Sequence, residues 1–164
     1  MNSQDHRRSI QVATIEDDDG YREHLAALIN GANGFACMGS FRSAESALGQ
    51  FARALPDVLL LDLELPGRHG LEVIGEFVAR WPKLAIIVLT VHDEAAAIFA
   101  ALEAGAIGYL GKPVSSVRLL EAVAEAQRPL LVLLQRVRQP AGDAAGGEDR
   151  LARDRGRRRF RRRA

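Results

Sequence analysis

Glu16-Asp17-Asp18, Asp62, Thr90 and Lys112 are the residues whose types and spacing suit chemistry in this chain. Each follows a short apolar stretch: residues 10–15, 58–61, 86–89 and the pair Tyr109-Leu110. Clustered carboxylates repel one another at neutral pH, and a hard divalent cation with oxygen ligands is their natural compensation. An aspartate beside such a cation is able to accept a phosphoryl group. A threonine hydroxyl and a lysine ammonium would then answer the transferred anion. Plainer readings exist for each residue. The acidic run can simply supply negative charge to the start of a helix, Thr90 can be an ordinary strand end, and Lys112 a solvated surface lysine. Singly these compete well; jointly, with Asp62 closing a buried run, the cation and phosphoryl reading is the stronger.

These residues meet only if the apolar stretches are neighbouring parallel strands, whose carboxyl ends are where open α/β sheets place their sites. Residues 10–127 read as five alternations of apolar strand and amphipathic helix. Strands are expected at 10–15, 35–40, 58–61, 85–89 and 108–110, and the third and fourth are apolar enough to lie at the sheet centre. Helices are expected at 21–30, with Leu25, Leu28 and Ile29 inward; at 43–51, with Ser43 as N-cap and Ala44, Ala47, Leu48 and Phe51 inward; and at 71–79, with Val73, Ile74, Phe77 and Val78 inward. Two more are expected at 94–104, capped by Asp93 and ended by Gly105, and at 114–127, with Val117, Leu120, Val123 and Ala124 inward. The loop at 65–70 is marked by Pro66, Gly67 and Gly70. Regular β/α alternation of this kind implies right-handed crossovers and a doubly wound parallel sheet.

The net charge of +1 conceals an asymmetry. Residues 1–127 hold 10 Lys and Arg against 17 Asp and Glu (−7), and residues 128–164 hold 12 Arg against 4 acids (+8). The basic end has Gly/Ala-rich stretches and little apolar periodicity, so it is expected to be a linker and a disordered tail. Cys37 is the single cysteine; no intrachain disulfide is possible, and a place in a buried strand is expected for it. No signal peptide and no run of about 18–20 apolar residues is visible, which fits a cytoplasmic protein without a membrane span. His6, His24, His69 and His92 lack zinc-ligand spacing.

The chain resembles the receiver domain of two-component response regulators. The resemblance rests on Glu16-Asp17, on Leu61-Asp62-Leu63-Glu64-Leu65-Pro66-Gly67 with Gly70 following, on Leu89-Thr90, and on Ala104 through Lys112-Pro113. It covers residues 9–127 as a receiver domain, leaving 128–164 as linker and basic tail. By that resemblance the fold is flavodoxin-like, a five-stranded parallel sheet in the order 2-1-3-4-5. Asp62 would be the phosphoacceptor. Asp17, Asp62 and the backbone carbonyl of Glu64 would hold Mg²⁺, with Glu16 acting through water. Thr90 and Tyr109 would form the switch, Lys112 would bind the phosphoryl group, and the Lys112–Pro113 bond would be cis.

The implied partner is a sensor histidine kinase, with homodimerisation on phosphorylation and no enzymatic turnover beyond self-phosphorylation and dephosphorylation of Asp62. The residues after the acidic cluster and after Thr90 look most like the NarL/FixJ subgroup, usually joined to a helix-turn-helix domain used in transcriptional control. Residues 128–164 show no such domain; a shifted or shortened reading frame and a genuine basic tail are the two readings of that end. Two departures from the family pattern stand out: Val91, whose bulk is expected to narrow access to Asp62, and His69, read as neutral. The rival functions are a phosphatase-like hydrolase using Asp62 and Glu64 as nucleophile and acid, and a nucleic-acid binder acting through the Arg-rich end without reading sequence.

Overall fold

The computed structural model describes residues 8–92 and 94–128. The expected basic tail at 129–164 and the expected cap Asp93 lie outside the described residues. Among the described residues five strands and five helices alternate: β1 (Ile10–Ile15), α1 (Asp19–Gly31), β2 (Phe35–Phe41), α2 (Ala44–Phe51), β3 (Val58–Asp62), α3 (Gly70–Arg80), β4 (Ala85–Thr90), α4 (Ala95–Ala104), β5 (Gly108–Gly111) and α5 (Ser116–Ala126). All pairings are parallel, in the order β2-β1-β3-β4-β5. This is the flavodoxin-like sheet that the resemblance implied.

The two central strands are buried along their whole length. Side chains alternate across a strand, so each central strand feeds two cores. Leu59, Leu61, Ile86 and Val88 face α2, α3 and α4, meeting Ala47, Phe51, Val73, Ile74, Phe77 and Ala101. Val58, Leu60, Ile87 and Leu89 face α1 and α5, meeting Leu25, Ile29, Leu119 and Val123. Helices on both faces cover the central strands along their length, so the chemistry these strands carry is placed at their carboxyl ends, on the rim.

Local signals place the helices. Ser43 caps α2 in a capping box with Ser46, Ser115 accepts from the Arg118 N–H at the start of α5, and Gly105 ends α4 at φ 112°, a left-handed conformation that suits glycine. Three expectations need correction. Glu94 occupies the N-cap of α4 and makes no side-chain capping bond. Val117 is 67% exposed; with Ser115 as N-cap it stands in the first turn, and the buried stripe of α5 falls instead on Leu119 and Val123, one helical turn apart. Cys37 is only half-buried, because β2 is an edge strand, and burial still pushes its thiol pKa up. The β1–β2 register also slips between Val12 and Ala13, the mark of a bulge in that edge strand.

Candidate functional site

The carboxyl ends of β1, β3, β4 and β5 bring the expected residues to one rim. Asp62 and Thr90 are the last residues of β3 and β4. Glu16 follows β1 directly, its N–H donating to the Phe41 carbonyl at 2.9 Å. Lys112 follows β5, its N–H donating to the Thr90 carbonyl at 2.7 Å, and the Lys112–Pro113 bond is cis. Backbone pairing on both sides thus aims four functional side chains into one cup.

Inside it, Lys112 Nζ lies 2.7 Å from Asp62 Oδ2 and 2.6 Å from Glu16 Oε2. Both carboxylates are buried, at 5% and 2% exposure. Burial pushes the Glu16 carboxyl above its ordinary range; the Lys112 hydrogen bond opposes that, and the nearby Asp62 charge adds to it. Burial also works against the Lys112 ammonium, yet the hydrogen bonds and charges of Asp62 and Glu16 outweigh it and push that pKa up. The asymmetry is one of number: two buried anions share a single cation. Tyr21 adds its ring face, 4.7 Å from Lys112 Nζ.

Each of Glu16, Asp17 and Asp62 offers an oxygen to a group within 4.8 Å of one another. Three carboxylates against one ammonium leave an uncompensated charge of −2 at full ionisation, which fits one divalent cation. Neighbouring acids have other work. Asp18 caps α1, accepting from the Tyr21 N–H at 2.6 Å, and Asp19 is ion-paired with Arg22 and with Arg42.

Beyond Asp62 and Thr90, two loops are tied together. The Glu64 N–H donates to Asp62 Oδ1 at 3.0 Å, and Glu64 Oε1 meets His92 Nε2 at 2.7 Å. The Tyr109 hydroxyl donates to the His92 carbonyl, and the His92 N–H donates to Thr90 Oγ1 at 3.3 Å. At the level of sequence His92 carries no functional role, and the Glu64 carboxylate enters only as the acid of the hydrolase alternative. The available signal was their spacing, each two residues past a rim residue on adjacent strands. Val91 is exposed. His69 proves to be the N-cap of α3, its Nδ1 accepting from the Leu71 N–H.

Residues 12–124 match the response regulator receiver domain family. The chain belongs to that family, whose members act in two-component phosphorelay signalling. It is 35% identical over 139 residues to the positive alginate biosynthesis regulatory protein of Pseudomonas aeruginosa, covering 84% of this chain and 55% of that protein. It is 30% identical over 123 residues to the transcriptional regulatory protein DegU of Brevibacillus brevis, covering 75% of this chain and 52% of that one. A two-component response regulator of the LuxR family from Aurantimonas superposes with TM-score 0.67 at 27% identity, over 79% of this chain and 99% of the other. The chain therefore spans about half the length of the curated relatives it matches. The hydrolase alternative is not favoured, since the Glu64 carboxylate is engaged by His92.

Proposed function

We propose that Asp62 is the phosphoacceptor of this receiver, spanning residues 9–127, that the protein acts in the cytoplasm, and that a sensor histidine kinase is its phosphoryl donor. The observation that carries this reading is the pairing of Lys112 with both Asp62 and Glu16 inside a cluster of three carboxylates. A carboxylate oxygen of Asp62 attacks the phosphorus of a phosphohistidine; the P–O bond forms, the P–N bond breaks, and the imidazole leaves with a proton. Lys112 stays at hand for the phosphoryl oxygens, as a compact charge on a buried stem. The Thr90 hydroxyl donates to the same group. Asp17, Asp62 and the Glu64 carbonyl, with Glu16 through water, would hold Mg²⁺, which when bound neutralises charge at the acceptor. The chemistry is confined to phosphorylation and dephosphorylation of Asp62 itself.

The output follows from the same rim. Thr90 moves toward the phosphoryl group, Tyr109 is drawn inward, and the face built from α4, β5 and α5 repacks. Phe99, Leu102 and Val117 stand exposed on those helices, an apolar surface suited to a homodimer formed on phosphorylation. The regulatory proteins it resembles point to transcriptional control as the output of the whole protein. Incubation with acetyl phosphate and Mg²⁺ tests the core of this reading. One acid-labile phosphoryl group is expected per chain and none in Asp62→Asn; equal labelling of both proteins contradicts it.

A further inference from the structure

His92 is held from several directions by groups that belong to different parts of the switch. Its N–H donates to the Thr90 hydroxyl at 3.3 Å and its carbonyl accepts from the Tyr109 hydroxyl. Its ring meets Glu64 at 2.7 Å through Nε2 and Glu94 at 3.6 Å through Nδ1. Glu64 in turn donates its N–H to Asp62 Oδ1 at 3.0 Å. A continuous chain of contacts thus runs from the acceptor carboxylate to Glu64, across to His92, and on to Tyr109. It passes beside Thr90 without using its side chain as a link.

We propose that His92 is a positioning residue that carries the state of Asp62 to Tyr109 through Glu64, in parallel with the Thr90 hydroxyl. The inference rests on Asp62 being the phosphoacceptor. Bonding phosphorus to one carboxylate oxygen changes the charge and acceptor geometry that the Glu64 N–H meets. Glu64 adjusts, and its side chain pulls on the imidazole. The His92 carbonyl lies on the same residue as that ring, so the partner of the Tyr109 hydroxyl moves with it. Most exposed carboxylate–imidazole pairs contribute little, because mobile side chains hold neither end in place. Here the backbones at both ends are fixed, Glu64 by Asp62 and His92 by Thr90 and Tyr109, so a surface pair transmits position. Such coupling is a property of the pair and must show as non-additivity between its members.

The test uses 3-fluorotyrosine incorporated into the chain, whose two tyrosines, Tyr21 and Tyr109, give two fluorine resonances assigned with Tyr21→Phe. Before phosphorylation, Glu64→Ala and His92→Ala should each shift the Tyr109 resonance, and the double variant should shift it no further than His92→Ala alone. Additive shifts, or a Tyr109 resonance indifferent to Glu64→Ala, overturn the inference. With acetyl phosphate and Mg²⁺, at equal phosphate content by intact mass, the Tyr109 response should fall to less than half in both alanine variants. Glu64→Gln, which retains an oxygen for the imidazole, should keep most of it. An undiminished response in phosphorylated Glu64→Ala and His92→Ala overturns this inference alone. Absence of phosphate on Asp62 in the parent overturns the phosphoacceptor reading and this inference with it.

Discussion

Lys112 Nζ sits 2.7 Å from Asp62 Oδ2, although 50 positions separate the two residues in the chain. Parallel pairing of β3 with β4 and of β4 with β5 closes that separation. The hydrogen bond from the Lys112 N–H to the Thr90 carbonyl then fixes the lysine's backbone at the rim. One ammonium consequently neutralises part of a three-carboxylate cluster, leaving room in the charge balance for a divalent cation.

Removing that ammonium strands two buried carboxylates. Lys112→Ala should lose about 3 kcal/mol of unfolding free energy in Mg²⁺-free buffer, the usual scale for breaking a buried pair from one side. Added Mg²⁺ should restore more stability to the variant than it adds to the parent. Denaturant titrations with and without Mg²⁺ read both effects, and a variant as stable as the parent would show that the lysine is not holding the cluster.

Glu16 makes stability depend on pH in a stated direction. Its folded pKa is raised above the ordinary 4.5, chiefly by burial, so the folded protein keeps a proton that the unfolded chain has released. That contribution weakens stability as pH rises from about 4.5 through the raised value. Lys112 acts at the other end: its pKa is raised above 10.5, so its contribution is complete below 10.5 and lost as pH rises through the raised value. In Mg²⁺-free thermal melts, Glu16→Gln should gain on the parent as pH rises from 4 to 8. A constant difference across that range contradicts the assignment.

The consecutive acids at 17–19 should separate cleanly. Asp17→Asn should weaken Mg²⁺ binding roughly tenfold, about 1.4 kcal/mol by calorimetry. Asp18→Ala should instead cost about 1 kcal/mol of stability through the lost α1 cap, and Asp19→Asn should change little, since the Asp19 carboxylate is itself exposed. Equal losses of Mg²⁺ affinity in all three would mean that the cluster acts only as diffuse negative charge.

Gly70 should prove intolerant of a side chain. A Cβ there would come within 2.6 Å of the Leu63 backbone and 2.9 Å of its carbonyl oxygen. Gly70→Ala should therefore cost about 1–3 kcal/mol and slow phosphorylation by displacing the segment that follows Asp62. Unaltered melting and labelling would show that this loop adjusts freely.

The strands and the rim were legible because fully buried parallel strands read as unbroken apolar runs, and the functional residues are what interrupts them. Asp62 after Leu61 and Thr90 after Leu89 are visible for that reason. Helix phase was less legible. In α5 both Val117 and Leu119 offer an apolar side chain at helical spacing, and only the position of the Ser115 cap decides that Leu119 faces the core. The edge strand β2 is less buried than its sequence suggests, since Cys37 and its neighbours look apolar whether one side or both are covered. The Glu64–His92 contact is the least legible feature. It depends on two exposed side chains meeting between loops, and their matching distance past Asp62 and Thr90 becomes informative only once β3 and β4 are known to be adjacent.

The measurement that bears most directly on the central claim is chemical location of the acceptor. Borohydride reduces an aspartyl phosphate to homoserine, so protein phosphorylated with acetyl phosphate and Mg²⁺, then reduced and digested, carries a permanent mass mark at the acceptor. The mark should fall on Asp62, vanish in Asp62→Asn, and diminish strongly in Lys112→Ala. A mark on Asp17 or another carboxylate, or one that persists in Asp62→Asn, would contradict the account.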